Sequence, residues 1–261
     1  MKQGRQDQRR FGIVVVVGMF SMLLQACAAT GTAYKDAEKA AQLNAQLGSE
    51  LLQDGKLAQA RDKLEKALKQ DKKNALAHLT YGQLQHVVEN PKSARIHFKK
   101  AIELEPETAS HRNSYGVFLC QVKEYAAAEK QFGAAAANKF YETPEYSWDN
   151  AGVCMLDSDQ LDKAESYLRK ALQINPKFAN PYLHMAELLY KRERLTVAEA
   201  YYERFMTYGD DTPGSLLLGI QINRDSGNTA EAEQYATQLL NDFPASEEAG
   251  EYLSRPLQNN N

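Results

Sequence analysis

The chain has three cysteines, one tryptophan and five histidines in 261 residues, and they form no recognisable catalytic or metal-binding motif. It contains no CxxC pair, HExxH segment, GxSxG turn or glycine-rich phosphate-binding loop. His184 and Glu187 lie one helical turn apart, but such a pair is more typical of surface hydrogen bonding than of metal ligation. These absences predict a non-enzymatic protein with no metal, no cofactor and no small-molecule substrate.

Basic residues are not in excess. The chain has 31 Lys and Arg against 34 Asp and Glu, a net charge of −3. Without residues 1–26 the balance is 27 against 33, a net charge of −6. This charge disfavours non-specific binding of nucleic acid and adhesion to anionic lipid through a basic patch. We therefore expect no nucleic-acid partner.

The longest apolar run is short and lies near the amino terminus. Four basic residues precede a largely apolar stretch over residues 11–24, a length that suits a secretory signal better than a membrane span. It ends in Leu-Gln-Ala-Cys at residues 24–27, which resembles a bacterial lipobox. We predict a lipoprotein signal peptide over residues 1–26 and lipidation of Cys27. The alternative is an ordinary cleaved signal, or a short anchor, with an incidental cysteine.

The residues after Cys27 predict where the lipid holds the protein. Gram-negative lipoproteins kept at the inner membrane usually carry aspartate at the next position, so Ala28 resembles the outer-membrane pattern. Residues 27–36 are small and polar, and they are interpreted as a lipidated tether with a reach of about 15–20 Å. The expected location is the outer membrane, lipid-anchored and facing the periplasm.

The rest of the chain repeats itself. Six alanines recur at intervals of 34 or 36 residues: Ala60, Ala94, Ala128, Ala164, Ala198 and Ala232. This period matches the tetratricopeptide repeat (TPR), in which small residues let two helices, A and B, pack closely and stacked units share a core. We predict an all-α, right-handed α-solenoid of six TPR helix-turn-helix repeats with a concave groove.

The predicted solenoid covers residues 37–252, and residues 253–261 are predicted to form a disordered tail. Its first unit lacks the terminal proline, and its sixth has one extra residue before Ala232. The predicted units lie near 41–74, 75–108, 109–142, 145–178, 179–212 and 213–246.

The two cysteines after Cys27 fall on the A helices of units three and four. Since neighbouring A helices pack side by side, we expect Cys120 and Cys154 to face each other across the interface and to form a disulfide, which an oxidising periplasm permits. Two buried free thiols are the alternative.

The A helices are expected to line the concave groove and to bind protein. Their groove positions combine apolar side chains with amides, which suits an extended or helical peptide. Asn113 and Asn150 have a second interpretation, as braces between neighbouring helices. The predicted groove residues are Leu79, Gln83, His86, Asn113, Val117, Gln121, Asp149, Asn150, Val153, Leu156, Leu183, Glu187, Tyr190 and Lys191.

Three segments make the resemblance specific. The sequence NSYGVFLC at residues 113–120, FYETP at 140–144 and NAGVC at 150–154, behind a lipobox, resemble the type IV pilus biogenesis and stability lipoproteins, the PilF/PilW pilotin family. Aromatic residues around the second segment, Phe140 and Tyr141 among them, are further candidates for partner contact. The resemblance implies an outer-membrane lipoprotein that binds the type IV pilus secretin and promotes its localisation and multimer assembly.

Other TPR lipoproteins serve different machinery. The competing hypothesis is a periplasmic adaptor for cell-wall hydrolases or for outer-membrane assembly. An enzyme with a divergent site is a second rival, but nothing in the sequence predicts its substrate.

Overall fold

The computed structural model describes residues 35–254, and every regular element within that range is an α-helix. We number them α1 to α13 in chain order. The described part of α1 covers residues 35–53. The others are α2 Leu57–Gln70, α3 Ala75–Val87, α4 Pro91–Leu104, α5 Ala109–Gln121, α6 Tyr125–Ala136, α7 Pro144–Asp157, α8 Leu161–Ile174, α9 Asn180–Lys191, α10 Leu195–Tyr208, α11 Pro213–Asp225, α12 Thr229–Asp242 and α13 Glu247–Ser254.

Several predictions fall on residues that the structure does not describe. The signal peptide, Cys27 and most of the proposed tether lie outside the described range, as does the tail beyond Ser254. At both borders the helices extend further than predicted. Residues 35 and 36, assigned to the tether, are helical, and so are residues 253 and 254, assigned to the tail. Within residues 35–254, no helix is both long and apolar enough to cross a bilayer.

The described residues form two compact units, one ending at Pro106 and the other beginning at Glu107. The first contains two hairpins, α1–α2 and α3–α4. Its small core of Ala45, Ala67 and Ala77 joins α1, α2 and α3. Asn74 starts α3 by accepting a hydrogen bond from the Ala77 backbone N–H at 2.8 Å, a typical N-cap.

The second unit contains four hairpins, α5–α6 to α11–α12, and the single helix α13. Each B helix packs on its own A helix and on the A helix of the next hairpin. Helix α13 covers the last hairpin: Ala249 joins Leu216, Ile220 and Leu239 in one buried cluster. A terminal element of this kind is needed because the last repeat of a stack has no neighbour to cover its apolar face.

Within the second unit, the Cα atoms of successive A helices approach within 8 Å, whereas those of successive B helices do not. The tighter spacing of α5, α7, α9 and α11 places the A helices on the inner side of this stack. The all-α repeat solenoid fold is therefore confirmed.

The six periodic alanines are fully buried. All six have 0% of their surface exposed. Glycines at the facing positions of the A helices let the two helices of a hairpin pack closer still. A Cβ added to Gly116 would lie 2.6 Å from the Phe132 ring, and one added to Gly152 would lie 2.6 Å from Leu168. These contacts leave no room for a methyl group, so the small residues set the distance between the two helices of a hairpin.

A second periodic feature was not predicted. The turn between the A and B helices of each repeat contains one residue with positive φ: Gly55, Glu89, Lys123, Asp159, Glu193 and Gly227. The next residue's backbone N–H donates to a carbonyl five residues back, as from Asn90 to Gln85. This is the Schellman motif, which satisfies the last carbonyls of the A helix. Four repeats place a non-glycine residue there, in a conformation that only glycine adopts without strain.

Replacing Gly116 by alanine should destabilise the protein, because the new methyl group meets the buried ring of Phe132. We expect a loss of about 1–3 kcal/mol in the free energy of unfolding, measured by chemical denaturation. Gly133→Ala in the same repeat is the matched control, since nothing lies within 4 Å of its added Cβ. It should stabilise helix α6 by about 0.5–1 kcal/mol. Equal effects of the two changes would contradict the packing argument.

Candidate protein-binding face

The structure leaves most of the predicted groove residues accessible. Twelve of the fourteen are half-buried or exposed. We call the nine accessible ones in the second unit the A-helix face. They are Asn113, Val117, Gln121, Asn150, Val153, Leu183, Glu187, Tyr190 and Lys191. The other three, Leu79, Gln83 and His86, are half-buried on α3 of the first unit.

Two predicted groove residues are not accessible. Asp149 and Leu156 are each only 4% exposed, so the prediction that they line the groove is wrong. The Asp149 carboxylate contacts His184 on α9, which shows that this side of α7 faces the next hairpin. Leu156 lies two helical turns further along the same side of the helix. Both residues serve the packing between repeats four and five.

The asparagines of repeats three and four bond to each other. Asn113 Oδ1 on α5 accepts hydrogen bonds from Ser147 Oγ at 3.0 Å and from Asn150 Nδ2 at 3.1 Å, both on α7. Of the two roles that the sequence left open, the structure shows the brace. The Asn113 Oδ1 atom has both of its acceptor positions filled, but its amide N–H groups and the Asn150 carbonyl oxygen have further hydrogen-bonding capacity.

A histidine joins repeats four and five beneath the face. His184 Nδ1 lies 2.8 Å from Asp149 Oδ1. Burial lowers the pKa of His184, but the hydrogen bond to Asp149 and the charges of Asp149, Glu187 and Asp157 raise it more, so the net pKa lies above its ordinary value. His184 therefore pairs with a carboxylate across the repeat interface. The neighbour anticipated from the sequence, Glu187, instead forms an ion pair with Lys191 at 3.1 Å.

Charged groups gather at the carboxyl ends of the A helices. Burial and the nearby Glu187 raise the pKa of Asp157, while Lys191 and His184 partly offset them. Tyr190 OH donates to Asp225 on α11 at 2.6 Å. The face thus has an apolar middle, formed by Val117, Val153 and Leu183, and a charged border. This combination can bury apolar side chains of a peptide and bond to its backbone or to polar neighbours.

The two cysteines beside the face are joined. Cys120 on α5 and Cys154 on α7 form a disulfide, with their Cα atoms 5.7 Å apart. Both are buried, and the bridge connects repeats three and four, with Cys154 next to Val153 in the chain and Cys120 one helical turn from Val117. Such a cross-link fixes the spacing of two A helices that present the apolar middle of the face.

Aromatic residues form a second exposed feature near the start of α7. Phe140 is 89% exposed, and the Tyr146 ring packs 4.6 Å from that of Phe178. Trp148 is half-buried and stacks on Tyr167 at 5.4 Å, with Lys170 Nζ 4.3 Å from its ring centroid. Trp148 therefore contributes to packing between α7 and α8, whereas Phe140 is free to contact a partner.

Comparisons with known proteins agree with this architecture. The tetratricopeptide repeat family matches residues 51–114 and 155–212. The chain is 32% identical over 207 residues to the type IV pilus assembly protein PilF of Pseudomonas aeruginosa, covering 79% of this chain and 82% of that protein. The crystal structure of PilW, described as a widely conserved type IV pilus biogenesis factor, has a TM-score of 0.71 at 30% identity and covers 82% of this chain and 98% of its own. The structure of Pseudomonas aeruginosa PilF has a TM-score of 0.69, also at 30% identity, and covers 84% and 99%.

Removing the disulfide should weaken the second unit. The bridge closes a loop of 34 residues, so the double change Cys120→Ala and Cys154→Ala should cost about 2–4 kcal/mol in the free energy of unfolding. The unchanged protein unfolded in reductant provides the control and should show the same loss. Non-reduced protein should also migrate faster than reduced protein in denaturing gels. Two thiols that titrate before reduction would contradict the bridge.

The His184–Asp149 contact predicts a pH effect. Its contribution to folding should be complete below the unfolded pKa of about 6.5 and be lost as pH rises through the raised folded pKa. Asp149→Asn should lower the pKa of His184, measured from its imidazole resonances by NMR. The control is Asp162→Asn, an exposed carboxylate whose charge is not among those acting on His184. An unchanged His184 pKa in the Asp149 variant would refute the contact.

Proposed function

Because this chain belongs to the PilF/PilW family of tetratricopeptide-repeat proteins in type IV pilus biogenesis, we propose that it is an outer-membrane lipoprotein that binds the pilus secretin. In this role it promotes the localisation of the secretin to the outer membrane and its assembly into multimers. The protein acts as a pilotin, a binding scaffold, and performs no chemistry. It needs no cofactor, small-molecule substrate or nucleic acid.

The A-helix face carries the binding part of this proposal. Val117 and Val153 occupy equivalent positions of two successive A helices, and Leu183 lies on the next A helix, one turn nearer its amino end. These accessible apolar residues can take up apolar side chains of a partner segment, and the amides of Gln121 and Asn150 on the same helices can bond to its backbone. We expect an unassembled secretin segment to expose apolar side chains and backbone groups, and the face can bind both.

The lipid part of the proposal depends on the lipobox at residues 24–27. Acyl chains on Cys27 would each contribute about 0.8 kcal/mol per buried CH2 group, which is enough for two or more chains to hold the protein on a membrane. A bound secretin segment would then be confined near the bilayer, and its local concentration would rise. Tethering of this kind promotes assembly without any change in the intrinsic affinity between secretin subunits.

Complementation of a deletion strain tests the whole proposal. Loss of the gene should abolish secretin multimers in the outer membrane, surface pili and twitching, and the unchanged gene should restore them. A double change, Val117→Glu with Val153→Glu, should leave the protein helical and in the membrane but restore few multimers. Ile174→Glu is the matched control, since this apolar residue is 47% exposed on a B helix of the same unit. Cys27→Ser should leave the repeats folded and remove the protein from the membrane fraction.

The outcomes separate the two hypotheses. If deletion leaves twitching and secretin multimers intact but alters cell shape, the chain is an adaptor for the cell wall and not a pilotin. If both Glu variants restore multimers equally, the secretin binds elsewhere on the protein. A Cys27→Ser protein that still sediments with outer membranes would show that acylation is not the anchor.

A further inference from the structure

Two histidines of the first unit meet across the second hairpin. His78 lies in the first turn of α3, and His97 lies in the middle of α4. Their Nδ1 atoms are 3.0 Å apart and their ring centroids 5.0 Å apart. Both side chains are half-buried, so the pair remains in reach of solvent. The face proposed to bind secretin does not include either of them.

The backbone fixes the tautomer of His78. Its Nε2 lies 3.1 Å from the carbonyl oxygen of Lys72. Since a carbonyl oxygen only accepts hydrogen bonds, Nε2 must carry the hydrogen, and in the neutral ring Nδ1 is left with a free lone pair. Metal-binding histidines in proteins are held in the same way, with the non-ligating nitrogen donating to a carbonyl or carboxylate. The lone pair of His78 points at His97.

His97 presents its own Nδ1 to the same point. The ring is packed by Tyr81, with centroids 4.7 Å apart, and Tyr81 OH donates to Glu65 at 3.1 Å. When no cation is present, the His97 Nδ1–H group can donate to His78 Nδ1. When a metal ion binds, the His97 proton moves from Nδ1 to Nε2 by exchange with solvent, so the ring stays neutral and both Nδ1 lone pairs are available to the ion.

The spacing of the two nitrogens fits a metal centre. Two metal–nitrogen bonds of about 2.0–2.1 Å place their nitrogens about 2.9 Å apart at a right angle and about 3.3 Å apart in a tetrahedron. The observed 3.0 Å is close to the right-angled value, which suits the tetragonal geometry of Cu2+. Binding the ion requires the two rings to turn until both lone pairs point at one centre.

We propose that His78 and His97 form a two-histidine binding site for a late first-row transition metal ion, with Cu2+ preferred and Zn2+ also accepted. Water completes the coordination, because residues 35–254 contain no group of three or more His, Cys, Asp or Glu placed to hold a metal. The ligands come from α3 and α4, so a bound ion cross-links the second hairpin and stabilises the folded state by an amount that rises with the logarithm of the free metal concentration above its Kd.

The charges around the pair are mixed. Lys100 opposes a cation near His78, whereas Asp71 and Glu103 favour one. Burial lowers the pKa of both imidazoles, that of His97 to about 4, with the neighbouring His78 contributing. Both rings are therefore neutral at neutral pH, and protons compete little with the metal. The lowered pKa values therefore agree with the metal site that the positions of the two rings indicate.

Titration of the purified protein with Cu2+ tests the site. We expect one equivalent to bind with an electron paramagnetic resonance spectrum that shows coupling to two nitrogens, and the thermal unfolding midpoint to rise. His78→Ala and His97→Ala should each lose the two-nitrogen signal and bind Cu2+ at least about tenfold more weakly. His86→Ala, which changes another half-buried histidine of the same helix, should bind as the unchanged protein does.

A second measurement uses the unchanged protein and needs no variant. Zn2+ added to the unchanged protein should shift the imidazole NMR resonances of His78 and His97 together, and those of His111 and His184 should not move. The proposal is overturned if no Cu2+ binds up to about millimolar concentration, or if the two-nitrogen signal survives in the variant lacking both His78 and His97. It is equally overturned if Zn2+ shifts other histidines instead.

Discussion

Close contact between the two helices of each hairpin is the constraint on which the rest of the structure depends. A fully buried alanine on every B helix, from Ala60 to Ala232, lets the A helix approach, and glycines such as Gly116 and Gly152 remove the last obstructing methyl group. This distance sets where the next A helix can pack, and so it sets the register of the whole second unit. The face, the disulfide and the polar contacts between A helices all follow from that register.

The register of the A helices explains why many of their polar side chains bond to the neighbouring A helix. Asn113 bonds to Ser147 and Asn150, and Asp149 pairs with His184, each contact joining one A helix to the next. Buried polar groups of this kind are stable only when they are hydrogen-bonded, so they specify one packing arrangement as well as strengthening it. The surface left for a partner is therefore narrower than the helical pattern suggests and centres on the accessible apolar residues Val117, Val153 and Leu183.

The sequence predicted the fold well because small and large residues recur with a fixed period. One buried position per repeat is enough to locate its two helices along the chain. It predicted the burial of Asp149 wrongly, since exposure there depends on a residue 35 positions away, His184. The turns with positive φ were missed because Glu89, Lys123 and Glu193 give no glycine signal. The His78–His97 pair was missed for a related reason: helical periodicity gives the face a residue occupies, but not which side chain from another helix will reach it.

Site-specific photocrosslinking in living cells shows directly whether the A-helix face contacts the secretin. A photoreactive amino acid would replace Val117, Val153 or Ile174 in turn, and crosslinked products would be identified by mass spectrometry. We expect secretin crosslinks from Val117 and Val153 on the A helices and none from Ile174 on the B-helix side. Crosslinks to the secretin from Ile174 alone, or to no secretin from any position while multimers still form, would contradict this expectation.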